Sequence, residues 1–426
     1  MNIAAAVRGS RVGLTGGTGI GHTAASDVTS GGTLTATATT GDIGMVDGTV
    51  YSAGRSVSFT AARNVKLGRV EAGANPISVK ATEGGISDIT GTENENLIGG
   101  NINLVAATGI GEPGGSGDID TAVTSIDAQT TTGGIFIDET DSVTLGPVTT
   151  GSGGGAIEVT SGGAMTVAQA VTTAGSGSIR LTTRAGNLQV NQAVIAGSDL
   201  SLDAAGRLNI AAAVSGGSVG LTSGTGIIHT AAGDVTSGGI ITATVTANNI
   251  SMADGTVYNA GGDVILTAAN DVELGWVETG TDNTIRVTAT GGAISDNTAG
   301  EGAGNENLVC CNIILTAANG IGGPGEAAES MSPRVTSRRL PGREVSTWPR
   351  PTHCSVVNPR FSLLRALALR VLTLWVLMLQ VRMSWCRNRP GLRVFRIKRL
   401  SLRRFRMIRS CSKYSCFEKP AIPSSN

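Results

Sequence analysis

The residues best equipped for chemistry recur in matched sets. His22 and Asp27 return as His229 and Asp234, 207 positions later. A histidine near a carboxylate suggests proton transfer or metal binding. However, the intervening chain holds about nine short repeating units, which puts the two histidines on the order of 43 Å apart at ~4.8 Å per unit. Each therefore stands alone and reads as a turn or flanking residue. Gly16-Gly17-Thr18-Gly19-Ile20-Gly21 resembles a phosphate-cradling loop, but no Lys-Ser/Thr pair follows it and no helix is expected behind it. Gly114-Gly115-Ser116-Gly117-Asp118-Ile119-Asp120 has the flavour of a calcium-binding repeat, with its acid one place early and no tandem copy, so it reads as a surface turn. Arg55, Arg63, Lys66, Arg69 and Lys80 form a loose basic cluster whose second-copy counterparts include Gly262, Asn270, Glu273 and Trp276. Replacement by Glu and Trp fits solvated positions better than a polysaccharide-cleaving groove. No catalytic, cofactor-binding or metal-binding residue is assigned, and no cofactor is expected.

These residues sit on a duplicated scaffold. Residues 2–71 align with 209–278, with 47 of the 70 pairs identical, and the longer duplication covers 2–115 and 209–326. Inside it runs a shorter period. Alternating segments begin at Val12, Leu34, Val57, Ile77, Ile102, Ile135, Ile157, Ile179 and Leu200, and continue at Val219, Ile241, Val264, Ile285 and Ile313, a mean spacing of about 23 residues.

One unit shows how the chain is built. Ile179 and Leu181 point one way and Arg180 and Thr182 the other, the period of a strand buried on one face. Thr183-Arg184-Ala185-Gly186-Asn187 then turns the chain, Leu188 and Val190 form a second inward pair, and Val194 opens a third side before Gly197 turns again. Three short strands and three turns make one rung of a parallel β-helix. A fixed period carrying the same inward residue types favours stacked rungs over an antiparallel sandwich or barrel. About fourteen rungs would form a rod roughly 65 Å long. Wider intervals place protruding loops at 112–117 and 297–302. Outward threonines (Thr35, Thr37, Thr39; Thr242, Thr244, Thr246) are expected to hydrogen-bond between rungs, with Asn ladders doing the same in turns.

Composition supports this reading. Aromatics are 3 % of the chain and glycines number 62 of 426, so a globular core of large side chains is not available, whereas thin aliphatic layers are. The zero net charge hides two opposed parts: residues 1–330 carry −19 and residues 331–426 carry +19. The expected division is a β-helix over 1–325 and an Arg-rich, irregular or partly helical tail over 326–426. That tail reads as frameshifted or disordered. Its most apolar part, Phe361 to Trp385, is interrupted by Arg365, Arg370 and Arg382, so no clear membrane span is expected. Without a recognisable nucleic-acid-binding module, its charge alone does not imply a specific nucleic-acid partner. No signal peptide follows Met1, and Met1 occupies the place of Leu208 in the second copy, so the chain is expected to start inside a repeat unit.

The segments Val264–Leu274 (VILTAANDVEL) and Ile313–Ile321 (IILTAANGI) resemble the rungs of filamentous-haemagglutinin-like adhesins, large bacterial surface proteins. The resemblance covers about residues 1–325. It implies an all-β, right-handed parallel β-helix, secretion across a Gram-negative outer membrane, and an extracellular or outer-membrane location. The implied partners are host-cell, matrix or bacterial-surface receptors. That family's secretion-recognition domain, Asn-Pro-Asn motif and membrane barrel have no counterpart in the sequence. The expected function is a non-enzymatic stalk or adhesive repeat region; a β-helix enzyme acting on polysaccharide and a non-functional product of a disrupted gene are the alternatives.

Overall fold

A computed structural model describes residues 1–90, 94–297 and 306–322. The Arg-rich segment 326–426 and most of the loop expected at 297–302 lie outside the described residues. Everything described is strand and turn, and the strands pair in parallel with a partner one circuit away. The described residues form a parallel β-solenoid. One sheet of fifteen strands runs from Val7–Gly9 to Asn312–Ala317. Its fourteen steps give a rod about 65 Å long at ~4.8 Å per step. Parallel pairing throughout excludes a hairpin-built sandwich. No helix among the described residues is long and apolar enough to cross a membrane.

Alternation in the sequence becomes alternation between core and solvent. In Ile179–Thr183, Ile179, Leu181 and Thr183 are buried while Arg180 is exposed. Leu188–Val190 and Val194–Ile195 form the other two sides of that circuit. The turn between the first two uses Gly186 at φ +81°, a conformation that costs an L side chain energy; Asn187 does not adopt it. Stacking then sorts the core into columns. Ile157, Ile179, Leu200, Val219, Ile241, Val264, Ile285 and Ile313 lie one above the next. Each such side chain contributes about 1.5–3 kcal/mol on burial, which is how a chain poor in aromatics supports a long core.

The turns carry polar ladders of their own. Asp42 Oδ1 accepts from Asn64 N at 2.9 Å, and Asn64 Oδ1 accepts from Gly85 N at 3.0 Å, one circuit per link. In the second copy Asn249 Oδ1 accepts from Asp271 N, and Asp271 Oδ1 from Ala293 N. Two of the outward threonines hydrogen-bond between rungs as expected, with backbone acceptors. Thr39 and Thr246 donate to backbone carbonyls of the preceding circuit, Gly17 O at 2.9 Å and Gly224 O at 3.1 Å. A turn carbonyl is a fixed acceptor, whereas a neighbouring hydroxyl must be ordered as well.

The fourteen segment starts do not form one column. Val12, Leu34, Val57, Ile77 and Ile102 stack in one sheet, and Ile135 to Ile313 stack in another. The exchange happens in one circuit. Ile135 bridges to Ile110, in line with Ile86, while Ile137 to Glu139 pair with Ile119 to Thr121, so two narrow ladders merge into the strand Ile135–Glu139. On the opposite side the eight-residue strand Val143–Thr150 pairs along its first part with Met165–Val167 and along its last part with Val171–Thr173. One broad ladder thereby splits into two. Gly146-Pro147 fall at the register shift opposite Ile126 and Ala128, a bulge where proline's missing N–H costs no ladder bond. Through this seam Val7 reaches Ser223 after ten steps, although its sequence counterpart is Val214. The two copies therefore present equivalent strands on different sheets of the rod.

Candidate functional site

The matched histidines flank turns, one of the two placements expected, but neither stands alone. His22 ends the strand Gly19–His22 and is half-buried; His229 ends Gly226–His229 and is buried. Each meets a tyrosine from the next circuit. His22 Nε2 lies 2.7 Å from the Tyr51 hydroxyl, and His229 Nε2 lies 2.8 Å from the Tyr258 hydroxyl. Both tyrosines are fully buried, and Tyr51 also stands edge-on to Phe59. Burial pushes both phenols above their usual range and both imidazoles below theirs, His229 to about 4. His229 Nδ1 faces Gly233 O at 2.8 Å. The position of Gly233 is Ser26 in the first copy, where His22 Nδ1 is buried without a partner. Asp27 and Asp234 are the turn residues they were expected to be, accepting from Val50 N and Val257 N of the next circuit. His and Asp thus act separately, each tying one circuit to the next.

The other sequence candidates disperse. Gly16 to Gly21 form a corner between two strands with no helix behind it. Arg55 and Arg63 lie in turns, and Lys66 and Lys80 stand outward on strands of different sheets. Arg69 is engaged by Glu71 at 2.6 Å and Glu95 at 3.2 Å. Its counterpart Trp276 donates from Nε1 to Glu278 at 3.2 Å, so the glutamate keeps a donor even though the cation has become an indole.

One recess on the described surface gathers polar groups. It holds about 150 Å³ and is bordered by Gly114, Asp118, Phe136, Asp138, Glu158 and Arg184. The 112–117 loop, present as expected, forms one wall, and the outer face of the strands Ile135–Glu139 and Ile157–Ser161 forms the floor. Arg184 reaches back two circuits to grip Asp138 with both nitrogens, Nη1 to Oδ1 at 2.8 Å. That pair raises the Arg184 pKa further, with Asp118 and Asp120 adding to it. Glu158 faces Arg180 at 3.8 Å. Among the described residues no three His, Cys, Asp or Glu are placed to hold a metal ion.

Burial raises the pKa of Glu139, as it does that of Asp127, but Glu139 turns away from the recess into the core. There it accepts from Thr121 Oγ1 at 2.6 Å and from the backbone at Val123 and Asp141. Sequence reasoning missed Glu139, and it missed the buried Asn96 and Asn307, which bind Asp88 and Asp296 at 2.6 and 2.7 Å. A signal for the asparagines existed: Asn94-Glu95-Asn96-Leu97 recurs as Asn305-Glu306-Asn307-Leu308. Comparison with protein-family models, curated proteins and solved structures finds no match.

Proposed function

We propose that this chain is the stalk or adhesive repeat region of a secreted or cell-surface bacterial adhesin. The observation that carries the reading is the unbroken fifteen-stranded parallel sheet, which makes the described chain a rod with a closed core. Such a body holds whatever it carries at a fixed distance, and its function lies along an outer surface. The rung segments at Val264 and Ile313 supply the adhesin part of the reading through their resemblance to surface β-helix proteins. The recess supports a contact role over a catalytic one. Its outward carboxylates Asp138 and Glu158 already face Arg184 and Arg180, while a general acid needs its proton-holding group at the substrate.

The test is to display the full chain on a non-adherent Gram-negative bacterium and measure binding to host cells, matrix proteins and sibling bacteria. The reading expects rods of about 65 Å by electron microscopy and adhesion that exceeds the undecorated strain. Rods that confer no adhesion, or turnover of a polysaccharide panel by the purified chain, would overturn it.

A further inference from the structure

In the circuit at which the ladders exchange, one buried carboxyl group joins neighbouring segments. Glu139 is fully buried, and besides Thr121 Oγ1 it accepts from Val123 N and Asp141 N, each at 3.0 Å. The titratable groups on the elements around it are acids: Asp120 on Ile119–Ala122, Asp127 on Ser125–Thr130, Asp138 beside it, Asp141 in the following turn and Glu158 on Ile157–Ser161. The arginines of this region, Arg184 and Arg180, face Asp138 and Glu158 on the outside. A carboxyl closed off from water, with acids for neighbours, favours its neutral form.

Protonation leaves the hydrogen-bond set intact. Thr121 Oγ1 also lies 3.4 Å from Asp138 O. A neutral Glu139 donates its proton from Oε2 to Thr121 Oγ1, the Thr121 hydroxyl turns to Asp138 O, and Oε1 goes on accepting from Asp141 N at 3.0 Å and from Val123 N, which spans both oxygens, at 3.2 Å. The buried charge is lost, and the bonds from the backbone become those of a neutral acceptor. We propose that the seam is a proton-operated joint: one proton taken up at Glu139 tightens the circuit that couples the two halves of the solenoid. Burial raises the pKa of Glu139 above 4.5, outweighing the bonds from Thr121, Asp141 and Val123 that favour the carboxylate, and the Asp141 charge adds to the rise. A raised folded-state value means that the stabilisation is complete below the unfolded value and is lost as pH rises through the folded one.

The experiment is hydrogen exchange on the full chain, read by mass spectrometry over residues 119–145 and corrected for intrinsic rates. Protection there is expected to rise as pH falls from neutral toward the unfolded value of 4.5, tenfold for each unit by which the folded pKa exceeds the unfolded. The strand Leu200–Ala204, remote from the seam, serves as the reference. In Glu139→Gln, permanently neutral, the rise should vanish and protection at about pH 7.5 should match the acidified native chain. Seam protection that stays flat or falls on acidification, or that rises equally in Glu139→Gln, overturns the proposal. Should that variant not fold, the native chain alone decides, since an equal gain at Leu200–Ala204 overturns it too.

Discussion

The Tyr258 hydroxyl and His229 Nε2 meet at 2.8 Å inside the solenoid, with His229 only 3 % exposed and Tyr258 not at all. A bond from one circuit to the next, in a place closed to water, makes this corner sensitive to protonation. Burial holds His229 at about 4, against 6.5 for an unperturbed histidine. A depressed folded-state value means that its contribution is fully present above the unfolded value and is lost as pH falls from about 6.5 toward 4, a span worth on the order of 3 kcal/mol. Urea unfolding of the native chain and of His229→Gln across that window should show a steeper acid loss in the native chain. Equal slopes would mean that the corner opens to solvent. His22, half-buried and shifted in the same direction, should contribute a smaller slope.

The same corner gives a graded test at neutral pH. Tyr258→Phe removes the partner of His229 Nε2 and leaves a buried polar atom unpaired, at a cost of about 1–3 kcal/mol. Tyr51→Phe takes the equivalent bond from a histidine that water can reach, so it should cost less. Thermal or chemical denaturation of the two single variants compares them directly. A larger loss from Tyr51→Phe would show that its edge contact with Phe59 depends on the hydroxyl.

The repeat, the three-sided rung, the inward residues and the 112–117 loop were all legible, because a period of two and the recurrence of aliphatic triplets report directly on burial. The seam was not. Alternation says whether Ile135 points inward, but not which sheet it joins. The 33 residues from Ile102 to Ile135 conceal the strand Ser125–Thr130, whose inward set of Ile126, Ala128 and Thr130 offers one large aliphatic and so raises little signal. The partner of His229 was missed for a related reason. Sequence distance separated it from His22, but its real partner was a tyrosine 29 residues away on the next circuit. Contacts of that kind depend on register, which a count of residues per repeat gives only on average.

Asn307 tests what the repeated Asn-Glu-Asn-Leu does. Its amide nitrogen donates to Leu274 O and Gly275 O, each at 3.1 Å, and to Asp296 at 2.7 Å, and the residue is fully buried. Asn307→Leu removes those donors and leaves Gly275 O enclosed without its partner, whereas Leu274 O keeps the bond from Asn297 N at 2.9 Å. It should destabilise the chain by roughly 1–3 kcal/mol, the cost of one orphaned buried acceptor. Asn96→Leu should behave alike, because Asn96 makes the matching contacts to Asp88 and Gly68 O. Unfolding midpoints that stay within experimental scatter of the native chain would show that water takes over those carbonyls.

Neighbouring positions on one strand separate core from surface most sharply. Leu266 is fully buried in the column of Leu221, Ala243 and Val287, and Thr267, next to it, faces outward between Thr244 and Thr288. Leu266→Ala should cost about 2–5 kcal/mol, because stacked circuits on both sides prevent the cavity from collapsing. Thr267→Ala should stay within about 0.5 kcal/mol. In a solenoid, stability is a sum of each circuit and its two interfaces. The Leu266→Ala loss should therefore appear as faster hydrogen exchange in the circuits next to residue 266 before it reaches the first copy. Uniform loss of protection from Val12 to Leu315 would instead show that the whole rod unfolds as one cooperative unit across the seam.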